Sequence, residues 1–61
     1  MAGQAIKHSV GDKVLYRRDD GLADIGIITR IRAFFDITEG VEVRQVWYTI
    51  NNETINENQV L

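Results

Sequence analysis

The sequence predicts an all-β protein, a small five-stranded barrel with a one-turn helix before its last strand. Three observations carry that prediction. Residues 25–35 contain five β-branched side chains, which disfavour a helix and suit a pleated sheet. Turn signals, Asp20-Gly21 and Asn51-Asn52 among them, interrupt apolar runs about every eight to twelve residues, the spacing of small all-β folds. Val46, Tyr48 and Ile50 alternate with period two, as a half-buried strand requires.

Residues 1–9 are small and polar around Ile6 and read as a flexible N-terminal arm, with the domain running over residues 10–61. Residues 9–12 (Ser-Val-Gly-Asp) read as a turn feeding a first strand, Lys-Val-Leu-Tyr-Arg-Arg at 13–18. Asp19-Asp20-Gly21 between apolar runs is a hairpin signal. In the second strand Ile25, Ile27, Thr29 and Ile31 share one face, the better core face by count, and Gly26 marks the place where the strand curves. Residues 36–40 read as a loop. The third strand has two phases. Val41 and Val43 have the opposite parity to Val46, Tyr48 and Ile50, which predicts a bulge or bend near Gln45. Asn51-Asn52 is a turn pair tolerant of positive φ. A short strand at 53–55 follows, then a helical turn capped by Thr54 or Asn56, then a final strand at Val60-Leu61. The expected inward set is Val10, Val14, Ile25, Ile27, Ile31, Val46, Tyr48, Ile50, Ile55 and Val60.

Composition narrows the function. The chain has 61 residues, enough for one domain that buries only about 60% of its unfolded surface. That leaves no room for a cofactor-binding sheet plus an enclosed substrate pocket. There is no cysteine and one histidine, His8, so an ordinary zinc site is excluded and no nucleophile–base pair is visible. The sequence predicts neither an enzyme nor a bound cofactor or metal. Asp19, Asp20 and Asp24 lack calcium-loop spacing. Asn52-Glu53-Thr54 matches a glycosylation pattern, but no secretion signal supports it. No apolar run approaches the roughly 20 residues of a membrane helix, so the expectation is a cytoplasmic protein with no membrane partner. Seven Lys and Arg against nine Asp and Glu give a net charge of −2, which argues against broad electrostatic binding to nucleic acid.

Val10-Gly-Asp-Lys-Val14, Asp20-Gly21, Gly26-Ile-Ile28, Trp47-Tyr-Thr-Ile50 and Glu57-Asn-Gln-Val60 together resemble the SH3-like small barrels, with the Tudor and KOW branch nearest. The resemblance covers residues 10–61 and is a pattern of fold. It implies a binding module. Neither a methyl-reading aromatic cage nor the basic charge of RNA-binding KOW modules is matched by these residues.

Three features stand out as a partner-binding face. Trp47 lies between inward residues, so alternation points it outward as a stacking or hot-spot side chain. The competing reading has a bulge turn it into the core or the arm cover it. Arg30 and Arg32 lie on the polar face of the second strand and, with Tyr16 nearby, would make a basic and aromatic patch. Otherwise they and Arg17 and Arg18 are a solvated face paired to Asp19, Asp20, Asp24 and Glu42. Phe34 and Phe35 are adjacent, so on a strand one of them must leave the core for an interface, unless the chain turns there and both cap the barrel. The leading expectation is protein–protein interaction through Trp47, Tyr16, Arg30, Arg32 and one of Phe34 and Phe35. Nucleic-acid binding through the same face is the alternative. A homo-oligomer built on an exposed Phe and an open strand edge is a third reading.

Overall fold

Three tight turns set the registers of the sheet. In the computed structural model, which describes residues 6–61, the first strand, β1 (Lys13–Arg17), turns at residues 18–22 into β2 (Ala23–Thr38). The Arg18 N–H donates to the Leu22 carbonyl at 2.7 Å and the Gly21 N–H to the Arg18 carbonyl at 3.0 Å. Gly21 adopts φ +89°, so this is a type I turn closed by a left-handed glycine. The next two turns have two residues each. Glu39 and Gly40 (φ 52° and 79°) join β2 to β3 (Val41–Ile50), and Asn51 and Asn52 (φ 53° and 63°) join β3 to β4 (Glu53–Asn56). Positive φ at both central positions gives the type I′ twist that matches paired strands.

The sheet is antiparallel in the order β1-β2-β3-β4 and curls into a half-barrel. The 3-10 turn Glu57–Gln59 follows β4, capped by the Asn56 side chain on the Asn58 N–H and by the Gln59 side chain on the Asn56 N–H. It carries the chain back to β1. Gln59 Nε2 donates to the Arg17 carbonyl at 2.9 Å, Tyr16 bridges Val60, and the Leu61 N–H reaches the Leu15 carbonyl. The all-β prediction therefore holds, but with four strands rather than five. Val60-Leu61 makes a single bridge, because only one residue pair stays in register after the 3-10 turn.

Val14, Tyr16, Ile28, Val46, Tyr48, Ile50 and Ile55 form the core, with Ile31 and Val60 packed against it. This corrects the predicted inward set in β2. Ile25 and Ile27 are exposed (52% and 45%), as is Val10, while Gly26 and Ile28 face inward. The cause is a close approach. A Cβ at position 26 would lie 2.5 Å from Ile50 Cγ2, so only glycine fits beneath the β3–β4 turn, and it fixes the parity of the strand around it. Ile25 instead stands opposite Leu15 on the outer face.

The register break also lies elsewhere than expected. It is in β2, between Ile28 and Arg30, and not near Gln45 of β3. Thr29 is the extra residue, and its hydroxyl donates to the Thr49 carbonyl at 3.2 Å. The bulge lets Ile28, opposite Ile50, and Ile31, opposite Tyr48, both point inward although they are three residues apart. Beyond it β2 and β3 pair without interruption out to Thr38 and Val41. The expected loop at 36–40 is thus strand up to Thr38, and the two ends of the long hairpin run past the core as a two-stranded ribbon. That ribbon is why Val41 and Val43 have the opposite parity to Val46. They lie beyond the region where burial dictates a face, and both are exposed.

Candidate functional site: the outer face of β2, β3 and β4

Strand alternation sorts the candidate residues into two faces. Arg30, Arg32 and Phe34 of β2 stand on the outer face opposite Thr49, Trp47 and Gln45 of β3. Trp47 is half-buried and pairs on its other side with Asn56 of β4. Its neighbours Val46 and Tyr48 are in the core, so the indole is directed outward, as alternation predicts. Arg32, Trp47 and Thr54 line a shallow open cleft of ≈ 280 Å³. Its lining combines a flat aromatic surface, a guanidinium with several donors and a hydroxyl. Chemically, such a set is suited to an apolar group beside a carboxylate or other planar acceptor.

Two predicted site residues belong elsewhere. Tyr16 is fully buried, and its hydroxyl accepts a hydrogen bond from Asn51 Nδ2 at 3.1 Å. It cannot serve as a contact residue, because the curl of β1 carries Val14 and Tyr16 to the core face. Phe35 is 39% exposed but on the face opposite to Trp47, directly across from Arg44, whose guanidinium lies 5.9 Å from its ring centre. Phe34, 50% exposed, remains on the Trp47 face.

The arginines also divide. Arg18 is bound to the first hairpin through Asp20 at 2.7 Å and Asp24 at 3.9 Å, and Arg17 donates to the Gly21 carbonyl. Arg30 and Arg32 are exposed and form no ion pair among the described residues.

Sequence reasoning missed a buried polar cluster on the inner face. Glu57 of the 3-10 turn accepts from Arg44 at 2.6 Å and from the Tyr48 hydroxyl at 3.0 Å. The hydrogen bond from Arg44 holds the Glu57 carboxyl below the usual carboxylate range, against the opposing effect of burial. Burial first, and then donation to Glu57, push the Tyr48 phenol up to about 12. His8 packs edge-on against the Tyr48 ring at 5.7 Å, with its side chain 30% exposed, so the end of the arm covers this cluster. The only signal for the cluster was Arg44 sharing the inward parity of Val46. The cluster ties the 3-10 turn, through Glu57, to Arg44 and Tyr48 of β3.

Among the described residues no helix is long and apolar enough to cross a membrane, and no three His, Asp or Glu side chains are grouped to hold a metal ion. The chain matches no family model, no curated protein and no solved structure.

Proposed function

We propose that this chain is a small non-enzymatic binding module of the SH3-like barrel type, and that it docks a protein segment on the outer face of β2, β3 and β4. The observation that carries this reading is the outward indole of Trp47 beside Arg32, in a cleft completed by Thr54. Arg30 and Phe34 extend the surface along β2. A half-buried aromatic next to an arginine with no acidic partner is the composition of an interface hot spot. The complementary segment carries a carboxylate for Arg32 next to an apolar side chain that lies on the indole. Two arginines on a chain of net charge −2 are too few for binding dominated by phosphates, which favours a protein ligand over a nucleic acid.

The test is an amide NMR titration with a short peptide of alternating Glu and Leu, and separately with a single-stranded oligonucleotide, each at two salt concentrations. The expected result is peptide-induced shifts at Arg32, Trp47 and Thr54. Arg32→Glu should abolish them, and Trp47→Ala should weaken binding by tenfold or more, on the order of a hot-spot loss, while both variants keep a dispersed spectrum. Shifts produced by the oligonucleotide alone, fading as salt rises, would transfer the face to nucleic-acid binding. Loss of the folded spectrum in Trp47→Ala would make Trp47 a structural residue and remove the basis of the proposal.

A further inference from the structure

The ribbon formed by the ends of β2 and β3 leaves a strand edge open. β1 pairs with β2 only from Ala23 to Ile27, and the Ile28 backbone is held by Gly11 and Asp12. From Arg30 to Thr38 no described strand lies on that side of β2. In a two-residue hairpin the pair flanking the turn, here Thr38 and Val41, is the hydrogen-bonded one, and such pairs alternate along the ladder. Thr38, Asp36, Phe34, Arg32 and Arg30 therefore direct their backbone groups to β3. Ile37, Phe35, Ala33 and Ile31 direct theirs to the open edge. The edge is apolar as well as unpaired: Phe34, Phe35 and Ile37 are 50%, 39% and 70% exposed. A long apolar edge of this kind is a template for another strand.

We infer that the strand filling this edge is β2 of a second copy, antiparallel, about a two-fold axis at Phe34. The argument is complementarity. The open stretch of Arg30 to Thr38 has Phe34 at its midpoint, so a two-fold axis there pairs every residue of it. Ala33 then meets Phe35, and Ile31 meets Ile37, of the other copy, which joins the four free backbone positions on each side in two hydrogen-bonded pairs per half. On the outer face Arg32 meets Asp36 of the other copy, twice by symmetry, and the two Phe34 rings meet at the axis. Asp36 is the sole acidic residue on the outer face of this stretch, and it sits as far from Phe34 as Arg32 does. A shift of the axis by one residue to position 35 sets Asp36 against Phe34 and loses both ion pairs. The assembly is isologous and closed, a continuous sheet of β4-β3-β2 from each copy, with both Trp47 clefts on one surface. The inference rests on the strand edge, but it shares Arg32 and Phe34 with the proposed docking face: in the dimer Arg32 is engaged by Asp36 of the other copy, and the cleft keeps Trp47 and Thr54.

Single cysteines test both the pairing and its register, since the chain has none of its own. Phe34 faces itself in a non-hydrogen-bonded pair with Cα atoms about 4.5 Å apart, inside the disulfide range. Two Thr38 residues are separated by eight residue steps, roughly 26 Å. Under mild oxidation Phe34→Cys is expected to give a covalent dimer rapidly and Thr38→Cys to stay monomeric. In sedimentation equilibrium the unmodified chain is expected to be dimeric. Asp36→Arg should raise the dissociation constant at least about tenfold, and the double variant Arg32→Asp, Asp36→Arg should recover dimerisation. A chain that sediments as a monomer at millimolar concentration overturns the inference, as does crosslinking of Phe34→Cys no faster than Thr38→Cys. Neither readout depends on a ligand in the Trp47 cleft, so failure here leaves the docking proposal standing, and the reverse.

Discussion

An alanine at position 26 would place its methyl 2.5 Å from Ile50 Cγ2 and 2.8 Å from Asn51 Nδ2. Ile50 is fully buried and cannot move aside, and Asn51 Nδ2 also donates to the Tyr16 hydroxyl and the Ile25 carbonyl. Gly26→Ala should therefore cost about 1–3 kcal/mol, the usual penalty for overpacking, in urea unfolding. Glu57 is the other residue whose surroundings set its behaviour. As the acceptor for Arg44 and Tyr48 it holds the 3-10 turn against β3. Glu57→Gln keeps the shape but removes the charge, and a loss of about 1.5–3 kcal/mol is expected, the range for hydrogen bonds to charged groups. Both residues were visible in the sequence, and neither environment was. A glycine in a strand signals a close approach without saying to what, and nothing in the spacing of Arg44, Tyr48 and Glu57 says that they converge.

β2 carries the largest difference between sequence and structure at the level of elements. Pattern alone favours the face of Ile25, Ile27 and Ile31, which has more isoleucines. The observed core takes Ile28, and then Ile31 after the Thr29 bulge. The two alternatives differ sharply in mutational outcome. Ile28→Ala should cost about 2–5 kcal/mol, as truncation of a fully buried isoleucine does, whereas Ile27→Ala, at 45% exposure, should cost less than about 1 kcal/mol. Thermal unfolding of the pair measures which face is buried. The Asp20-Gly21 and Asn51-Asn52 turns were legible because their chemistry is local: Gly21, Asn51 and Asn52 adopt positive φ and are residues that tolerate it. The Glu39-Gly40 turn was partly hidden, since Glu is an unusual residue at φ 52° and the flanking Asp36–Thr38 stretch looks polar. Its strand character comes from pairing with Val41 and Val43, which is a non-local fact.

At the scale of the whole molecule the ribbon shapes the outline. The radius of gyration is 12.6 Å, with extents of 38 × 24 × 17 Å, against about 10.5 Å for a globular chain of this length. The core that must hold this shape is small and has no disulfide to support it, so a net stability of a few kcal/mol is expected. Its pH limits follow from the inner cluster. Glu57 has a lowered folded pKa, so its contribution is fully present above the ordinary carboxylate value and is lost as pH falls through the depressed one. Tyr48 has a raised folded pKa, so stability falls once pH passes the ordinary phenol value near 10 and continues to fall toward about 12. Stability measured by denaturant midpoint should thus show a plateau from about pH 5 to 10 with a decline on both sides. In Glu57→Gln the acid-side decline should be smaller.

What the sequence determined by itself was whatever depends on neighbours along the chain. That includes the all-β class, the turns at Asp20-Gly21 and Asn51-Asn52, a helical turn with Asn56 as one of two candidate caps, the alternation of Val46, Tyr48 and Ile50, and the outward parity of Trp47 that follows from it. The tertiary structure decided the number of strands, the inward face of β2, the burial of Tyr16, the meeting of Arg44, Tyr48 and Glu57, and the assembly of Trp47, Arg32 and Thr54 from three strands. The reason is that β2 serves two partners in succession, β1 from Ala23 to Ile27 and β3 from Ile28 onward, with Thr29 inserted just past the changeover. One inserted residue reverses which side chains face inward, and Gly26, three residues earlier, packs against the distant β3–β4 turn; no local pattern encodes either contact.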